Sequence, residues 1–297
     1  MSSALYQELL SKLADSFRAL PDKPEETAES TLRALFSAAS GQPRSVVLAS
    51  TLPLAELDAA GERKVREMVD RRLAGTPLAH ITGRQNFMGL ELLAGPEALV
   101  PRKETEILGS TALALLRDLV RERGSAIVLD VCTGSANLAL SLASHEPAAI
   151  VLAADISRDA VGLARRNVAY LRLGDRVSVE QGDLLAPFDT PAYLGRIDLL
   201  TCNPPYISSA KVSGMHDEIS RHEPREAFDG GPFGVKILQR LTREAIRFLR
   251  PGGWLVFELG LGQGPSLVQR MQKEARFREI RAVNDPDGHI RVIAARA

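Results

Sequence analysis

The chain has 297 residues, 45% hydrophobic and 25% charged, with Lys+Arg and Asp+Glu both at 37 and a formal net charge of zero. That length supports a large core and two domains, and the charge balance disfavours a broad phosphate-binding surface, so no direct nucleic-acid partner is expected. The two cysteines, Cys132 and Cys202, have no metal-ligand spacing, no basic-then-apolar leader opens the chain and no apolar run nears membrane-spanning length, so the chain reads as cytoplasmic, without a bound metal, a disulfide framework or a membrane partner.

The first stretch is helical. Leu5, Leu9, Leu10, Leu13 and Phe17 recur at helical spacing, Pro21-Asp22-Lys23-Pro24 interrupts them, and residues 27–39 resume the pattern until Gly41-Gln42-Pro43. A third helix is expected over residues 56–73, stopping at Gly75-Thr76-Pro77, so residues 1–77 read as a small helical domain. Residues 78–100 change character: Ile81-Thr82-Gly83, the run from Gln85 to Leu93 and Leu99-Val100 predict a β-hairpin linker to a second domain over residues 101–297. A helix restarts over residues 105–120. From residue 126 strands and helices alternate: strands over 126–131, 150–154, 177–181, 197–202, 254–258 and 290–294, with helices over 137–143, 157–170, 235–249 and 266–275 between them. Such alternation predicts an α/β fold, a parallel sheet with helices on both faces.

Four loops at strand ends carry the chemistry. The first strand runs into Cys132-Thr133-Gly134-Ser135-Ala136, a tight turn of small residues that brings backbone N–H groups and a helix start close to a ligand. The second ends in Asp155, suited to both hydroxyls of a ribose, although a lone strand-end Asp also serves as a helix cap. The third ends in Gly182-Asp183-Leu184, where Asp183 can accept from an adenine amino group and Leu184 can pack on its ring. The apolar strand Ile197-Asp198-Leu199-Leu200-Thr201-Cys202 then meets Asn203-Pro204-Pro205-Tyr206, which cannot continue it because each proline lacks an N–H and fixes φ. One carboxamide and the backbone carbonyls of a rigid turn are thus held at a strand's carboxyl end, where open α/β sheets bind ligands. A nicotinamide-binding domain is the main competitor, but a full GxGxxG is absent.

Asn203-Pro204-Pro205-Tyr206 resembles motif IV of the S-adenosylmethionine-dependent amino-methyltransferases, whose acceptors are conjugated nitrogens: an adenine or cytosine amine, or a glutamine amide. Nearly the whole chain resembles the HemK family of glutamine-amide methyltransferases. The resemblance rests on Gly75-Thr76-Pro77-Leu78 with Ile81-Thr82-Gly83, Phe87, Val100 to Glu106, Glu223-Pro224-Arg225 with Gly230-Gly231, and Glu258-Leu259-Gly260 with Gln263. It implies a Rossmann-like seven-stranded sheet that binds S-adenosylmethionine and yields S-adenosylhomocysteine, a helical N-terminal domain that recognises substrate, and a release factor or ribosomal protein as partner. It places Cys132, Thr133, Gly134, Ser135, Ala136, Asp155, Asp183, Leu184 and Asn203 at the cofactor, Phe87, Tyr206 and Glu223 at the substrate, and Asn203, Pro204, Pro205 and Tyr206 at the reaction, and it makes Arg102 a structural or cofactor-side residue, a substrate contact only if the acceptor is a free amino acid. The chain departs from the family where Cys132 and Ala136 replace usual glycines, where Lys103-Glu104 replaces Pro-Asp, and in Asp285-Pro286-Asp287-Gly288-His289, which blurs an expected glycine and arginine.

An amide nitrogen is a poor nucleophile, so the expected mechanism is alignment of nitrogen, methyl carbon and sulfur, with the Asn203 side-chain oxygen and Pro204 carbonyl accepting the acceptor's two N–H hydrogens. Tyr206 is expected against the planar group, and Glu223 is either a further polar contact or a solvated loop carboxylate. The same geometry suits a guanidinium. Asp217, Glu218 and Glu223 would offset its charge, or form a solvated face, and Arg102 would serve the carboxylate of a free amino acid such as arginine. A third reading is a helical binding module whose degenerate loop has lost the cofactor; the intact NPPY, Asp155 and Asp183 argue against it.

Overall fold

A computed structural model describes residues 2–16, 22–212 and 222–297. Phe17 and Pro21, read above as part of the first helix and its break, lie outside them. The described residues form two compact units, one of residues 2–16, 22–96, 100–103 and 222–223, the other of residues 97–99, 104–212 and 224–297.

The first unit contains α1 (Ser2–Ser16), α2 (Ala28–Ala39), α3 (Val46–Thr51), α4 (Ala59–Leu73) and α5 (Leu78–Thr82), then β1 (Arg84–Phe87) and β2 (Leu90–Leu93). Side chains cap the longer helices. Thr27 Oγ1 accepts from Ser30 N at 3.1 Å while Ser30 Oγ accepts from Thr27 N at 2.8 Å, and Asp58 Oδ1 accepts from Gly61 N at 2.7 Å. Leu5, Leu9 and Leu13 of α1 are buried with Leu32, Leu35 and Phe36 of α2 and Val65 and Val69 of α4, the one-face spacing that buries an amphipathic helix. Two elements differ from the expectation. Val46–Thr51 is helical, and Leu78–Thr82 forms a helical turn rather than the first arm of the hairpin. Pro77, at φ −54°, is already set for a helix start, and Leu78 and Ile81 then bury one turn apart. The hairpin itself is shorter than read, with Met88 (φ 47°) and Gly89 (φ 81°) supplying the two left-handed residues of a tight two-residue turn.

The second unit runs α6 (Glu106–Arg123), β3 (Ala126–Val131), α7 (Asn137–His145), β4 (Ala149–Asp155), α8 (Arg158–Tyr170), β5 (Val177–Gln181), β6 (Ile197–Cys202), α9 (Ser209–Val212), α10 (Lys236–Glu244), β7 (Leu249–Glu258), α11 (Gly264–Glu274), β8 (Glu279–Asn284) and β9 (Ile290–Arg296). Its seven-stranded sheet has the order β5-β4-β3-β6-β7-β9-β8. The sheet is parallel from β5 to β7, as the alternation of strands and helices predicts, and β9 is antiparallel to both β7 and β8. Strand β8 carries no apolar run, since Glu279-Ile280-Arg281-Ala282-Val283-Asn284 is an edge strand with much of its surface in water. The periodicity therefore hides it, and only its pairing with β9 defines it.

The order reverses direction beside β3. Strands β4 and β5 follow on one side, β6 and β7 on the other, so the carboxyl ends of β3 and β6 flank a topological switch point. Their register pairs Val131 with Cys202, and the loops at Cys132 and Asn203 therefore leave the sheet side by side. Every residue of β6 is buried, and its two polar side chains are satisfied: Asp198 Oδ2 accepts from Ile127 N at 2.8 Å, and Thr201 donates to Asp130 Oδ1 at 2.7 Å. Among the described residues no helix is long and apolar enough to cross a membrane.

Candidate active site

Two prolines turn the chain out of β6, and the side chains on either side of them are tethered. Asn203 Nδ2 donates to Thr105 Oγ1 at 3.2 Å, just ahead of α6. Tyr206 does not simply present its ring. Its hydroxyl donates to Glu258 Oε1 at 2.7 Å, at the end of β7, and Arg291 of β9 approaches the same hydroxyl at 3.4 Å. The backbone is braced as well. Gln263 Nε2 donates to the carbonyls of Tyr206 (3.0 Å) and Gly234 (3.2 Å), while its Oε1 accepts from Gly260 N at 2.8 Å. The loop at 228–234 is laid along the turn, with Ile207 N donating to Phe228 O at 2.9 Å and Gly230 N to Ile207 O at 2.8 Å. That approach requires glycine: a Cβ at Gly230 would fall 2.6 Å from Pro205 O, and one at Gly234 would fall 2.0 Å from Tyr206 O.

Behind the turn lies a buried group of charges. Glu258 is 1% exposed and Arg291 6% exposed. Arg291 pairs with Glu104 at 3.0 Å and stands 3.6 Å from Glu258 Oε1. Burial pushes the Glu258 carboxyl up to about 7, helped by the neighbouring charge of Glu104 and opposed by Tyr206, Thr105 and Arg291. Burial likewise raises the Tyr206 phenol well above its ordinary range, with the charges of Glu258 and Glu104 acting in the same direction. The sequence motifs include Thr105, Glu258 and Gln263 without a role and leave Arg291 unmarked. No local pattern shows their convergence, because two strands and a helix start bring them together.

The β3 loop is held by carboxylates. Asp130, fully buried at the strand's end, accepts from Thr133 Oγ1 at 2.5 Å and from Thr201 Oγ1 at 2.7 Å, and burial pushes its carboxyl up to about 6. Asp155 binds Gly134 N through Oδ2 at 2.8 Å and Ser157 N through Oδ1 at 3.0 Å, joining the end of β4 to both the loop and the start of α8. Cys132 (φ 56°), Gly134 (φ 55°) and Ala136 (φ 64°) are all left-handed, a conformation that the glycines implied by the resemblance at the first and last of these positions would adopt without strain. Thr133, Ser135 and Ala136 are buried, and Ser135 Oγ has no hydrogen-bond partner among the described residues. Cys132 and Cys202 are both free thiols, and burial together with the adjacent Cys132 raises the Cys202 thiol far above its usual range.

Further along the strand ends, Asp183 is ion-paired with Arg240, and Leu184 is buried in the sheet's core at φ 51° rather than displayed on the surface. In the first unit, Phe87 is buried at 1% exposure. Arg102 and Glu223 are partners there: one guanidinium nitrogen donates to both carboxylate oxygens, at 2.7 and 2.8 Å, and the other nitrogen stands 3.5 Å from Asp22. Glu223 is 7% exposed, so it is not a solvated loop carboxylate. Asp217 and Glu218 lie outside the described residues. The strand-end residues from Cys132 to Ala136 and Asp155, Asp183, Leu184 and Asn203 to Tyr206 thus belong to the sheet unit, and Phe87, Arg102 and Glu223 to the other.

Known proteins resemble this chain in sequence and fold. A methyltransferase domain matches residues 123–296, and the PrmC N-terminal domain matches residues 8–83. The chain is 34% identical over 278 residues to the release factor glutamine methyltransferase of Geobacter sulfurreducens, covering 93% of this chain and 92% of that one. With the enzyme of the same name from Streptomyces coelicolor it shares 37% identity over 281 residues, 94% of each chain. Among solved structures, the catalytic domain of human METTL16 bound to an RNA hairpin superposes with a TM-score of 0.54 at 14% identity, covering 77% of this chain and 81% of that one. The METTL16 N-terminal domain in complex with S-adenosylhomocysteine gives 0.51 at 16%, covering 77% and 82%, and at such identities the likeness concerns the fold alone. By its sequence relatives and its domain matches, the chain belongs to the HemK/PrmC family of S-adenosylmethionine-dependent N-methyltransferases.

Proposed function

We propose that the chain methylates the side-chain amide nitrogen of a glutamine in a translation release factor, the helical N-terminal domain recognising the protein and residues 101–297 performing the transfer. Relatives at 34% and 37% identity over nearly the full chain carry that name. The observation that carries the reading is the tether between Asn203 Nδ2 and Thr105. With its nitrogen committed, the carboxamide has its oxygen left to accept an N–H, and the Pro204 carbonyl supplies a second acceptor in a turn that cannot relax. Two acceptors a short distance apart match the two hydrogens of a primary amide. They fix the nitrogen's lone pair and favour the positive charge it gains during attack. Tyr206 closes the turn beneath the planar group, and its proton leaves only above its raised range, so it is a hydrogen-bonding residue rather than a base.

The residues present fit S-adenosylmethionine. Each Asp155 oxygen takes one backbone N–H and keeps a lone pair for a ribose hydroxyl, and the buried Ser135 Oγ lacks a partner that a ligand would supply. The backbone of 132–136 and the start of α7 would face the methionine carboxylate, with Asp183 toward the adenine. When bound, the cofactor supplies a methyl group activated by a sulfonium. The two free thiols fit a reducing cytoplasm.

Free arginine as acceptor is the second reading, and Arg102 was its expected carboxylate partner. That guanidinium is already occupied by Glu223 and Asp22. Incubation with methyl-labelled S-adenosylmethionine and unmethylated release factor, ribosomal protein or free arginine in parallel decides the matter. Label in a release-factor glutamine is expected, and label in the ribosomal protein or the amino acid alone would overturn the reading.

A further inference from the structure

We propose that Glu258 is a positioning residue for methyl transfer, orienting the Asn203 carboxamide through the Thr105 hydroxyl while gripping the Tyr206 hydroxyl directly. This rests on the role given to Asn203 above. The two ends of the NPPY turn, Asn203 and Tyr206, converge on this one carboxylate. Tyr206 donates to its Oε1 at 2.7 Å. Thr105, the acceptor of Asn203 Nδ2, faces the same carboxylate and stabilises its charge. The second oxygen, Glu258 Oε2, is buried and has no well-formed hydrogen bond among the described residues, so it has capacity for the threonine proton.

The direction of these bonds matters. A hydroxyl that gives its proton to a carboxylate keeps its lone pairs for an incoming N–H, which here points Asn203 Nδ2 at Thr105 and leaves Oδ1 outward. A protonated Glu258 reverses the relay. Its own O–H then donates to Thr105 Oγ1, and the threonine O–H, still intact, turns to donate a hydrogen bond to Asn203 Oδ1, which turns the amide end for end. The groups that face Glu258 are Tyr206 from the NPPY turn, Glu104 and Thr105 from the segment entering α6, and Arg291 from β9. Because burial raises the carboxyl to about 7, the ionised, correctly oriented form is present above that pH and is lost as the pH falls through it.

Glu258→Gln freezes the relay in its reversed state, because the new NH2 can only donate toward Thr105. At pH 8 the full-length variant is expected to lose about 10–100-fold in single-turnover methylation of release factor. Its affinity for S-adenosylmethionine by calorimetry should stay within about twofold, and the wild-type rise in rate between about pH 6 and 8 should be flattened. Thr105→Val cuts the link while keeping the Glu258–Tyr206 bond; it should show the same split, and the double variant should be no slower than the slower single one. Wild-type rate and pH profile in both single variants would overturn the proposal. A readout independent of the acceptor is the 15N side-chain amide resonance of Asn203, identified by its loss in Asn203→Ala. It should titrate with pH in the wild type and not in Glu258→Gln, and an unchanged titration in the variant would equally refute the role. A wild type that shows the resonance titration yet leaves release factor unlabelled would sink the glutamine reading and leave Glu258 as the orienting group.

Discussion

The loops leaving β3 and β6 start beside one another, at Val131 and Cys202, yet they are held by different means. The β3 loop depends on backbone conformation. Three residues take left-handed φ, and Asp130 and Asp155 tie the turn down through hydroxyls and main-chain N–H groups. The β6 loop depends on rigidity and distant partners: two prolines, a collar of glycines, and side-chain bonds to Thr105, Glu258 and Gln263. The first arrangement tolerates drift, because an L-residue can occupy a left-handed position at a cost of about 1–2 kcal/mol. The second tolerates little, because its side-chain tethers run to the buried residues Thr105 and Glu258. The family's usual glycines are replaced at Cys132 and Ala136 while Asn203-Pro204-Pro205-Tyr206 stays intact, as that contrast requires.

The sharpest test of the difference is Asn203→Ala, which should lower turnover by about 10²–10³-fold while S-adenosylmethionine affinity stays within about threefold. Rapid-quench kinetics beside calorimetry would show it, and near-normal turnover would mean that the acceptor is held elsewhere. Next comes Gly234→Ala, whose Cβ would meet the Tyr206 carbonyl at 2.0 Å from a left-handed backbone (φ 68°). Displacing that carbonyl should cost about 2–4 kcal/mol of stability in denaturant titration and slow methyl transfer with it. Asp155→Ala attacks the other loop and should invert the pattern. Loss of its two charge-assisted bonds and of the ribose acceptors weakens cofactor binding by about 10–100-fold, with turnover at saturating cofactor much less affected. The smallest effect is expected from Ala136→Gly. Relief of the left-handed alanine and the added entropy of the unfolded chain nearly cancel, leaving about 1 kcal/mol or less in thermal unfolding and no change in rate. A large loss there would show that the β3 loop is as intolerant as its neighbour.

Much of this molecule can be read along the chain. Buried strands such as Ile197–Cys202 are mostly apolar runs bounded by turn residues, and α2 and α4 carry their own caps, so period and punctuation suffice to find them. The ordered series of Cys132-Thr133-Gly134, Asp155, Asp183 and Asn203-Pro204-Pro205-Tyr206 is legible for a related reason: in an open α/β sheet ligands bind at the strands' carboxyl ends, so spacing along the chain maps onto position around a site. Where the rule failed, local signal was absent. Edge strand β8 needs no apolar face, and Leu78–Thr82 became a helical turn through Pro77 and the burial of Leu78 and Ile81.

Sequence by itself determined that a proline-locked carboxamide ends one buried strand and a nucleotide-type loop ends another, because each follows from residues a few positions apart; the register of β3 and β6 sets the two side by side. Only the tertiary structure decided what holds that carboxamide. Thr105 lies about 150 positions before Glu258, and Arg291 stands on a different strand again; the antiparallel pair β7 and β9 and the start of α6 bring them to one buried point. There, exclusion of water makes a single carboxylate's partners matter, and its charge at neutral pH depends on them.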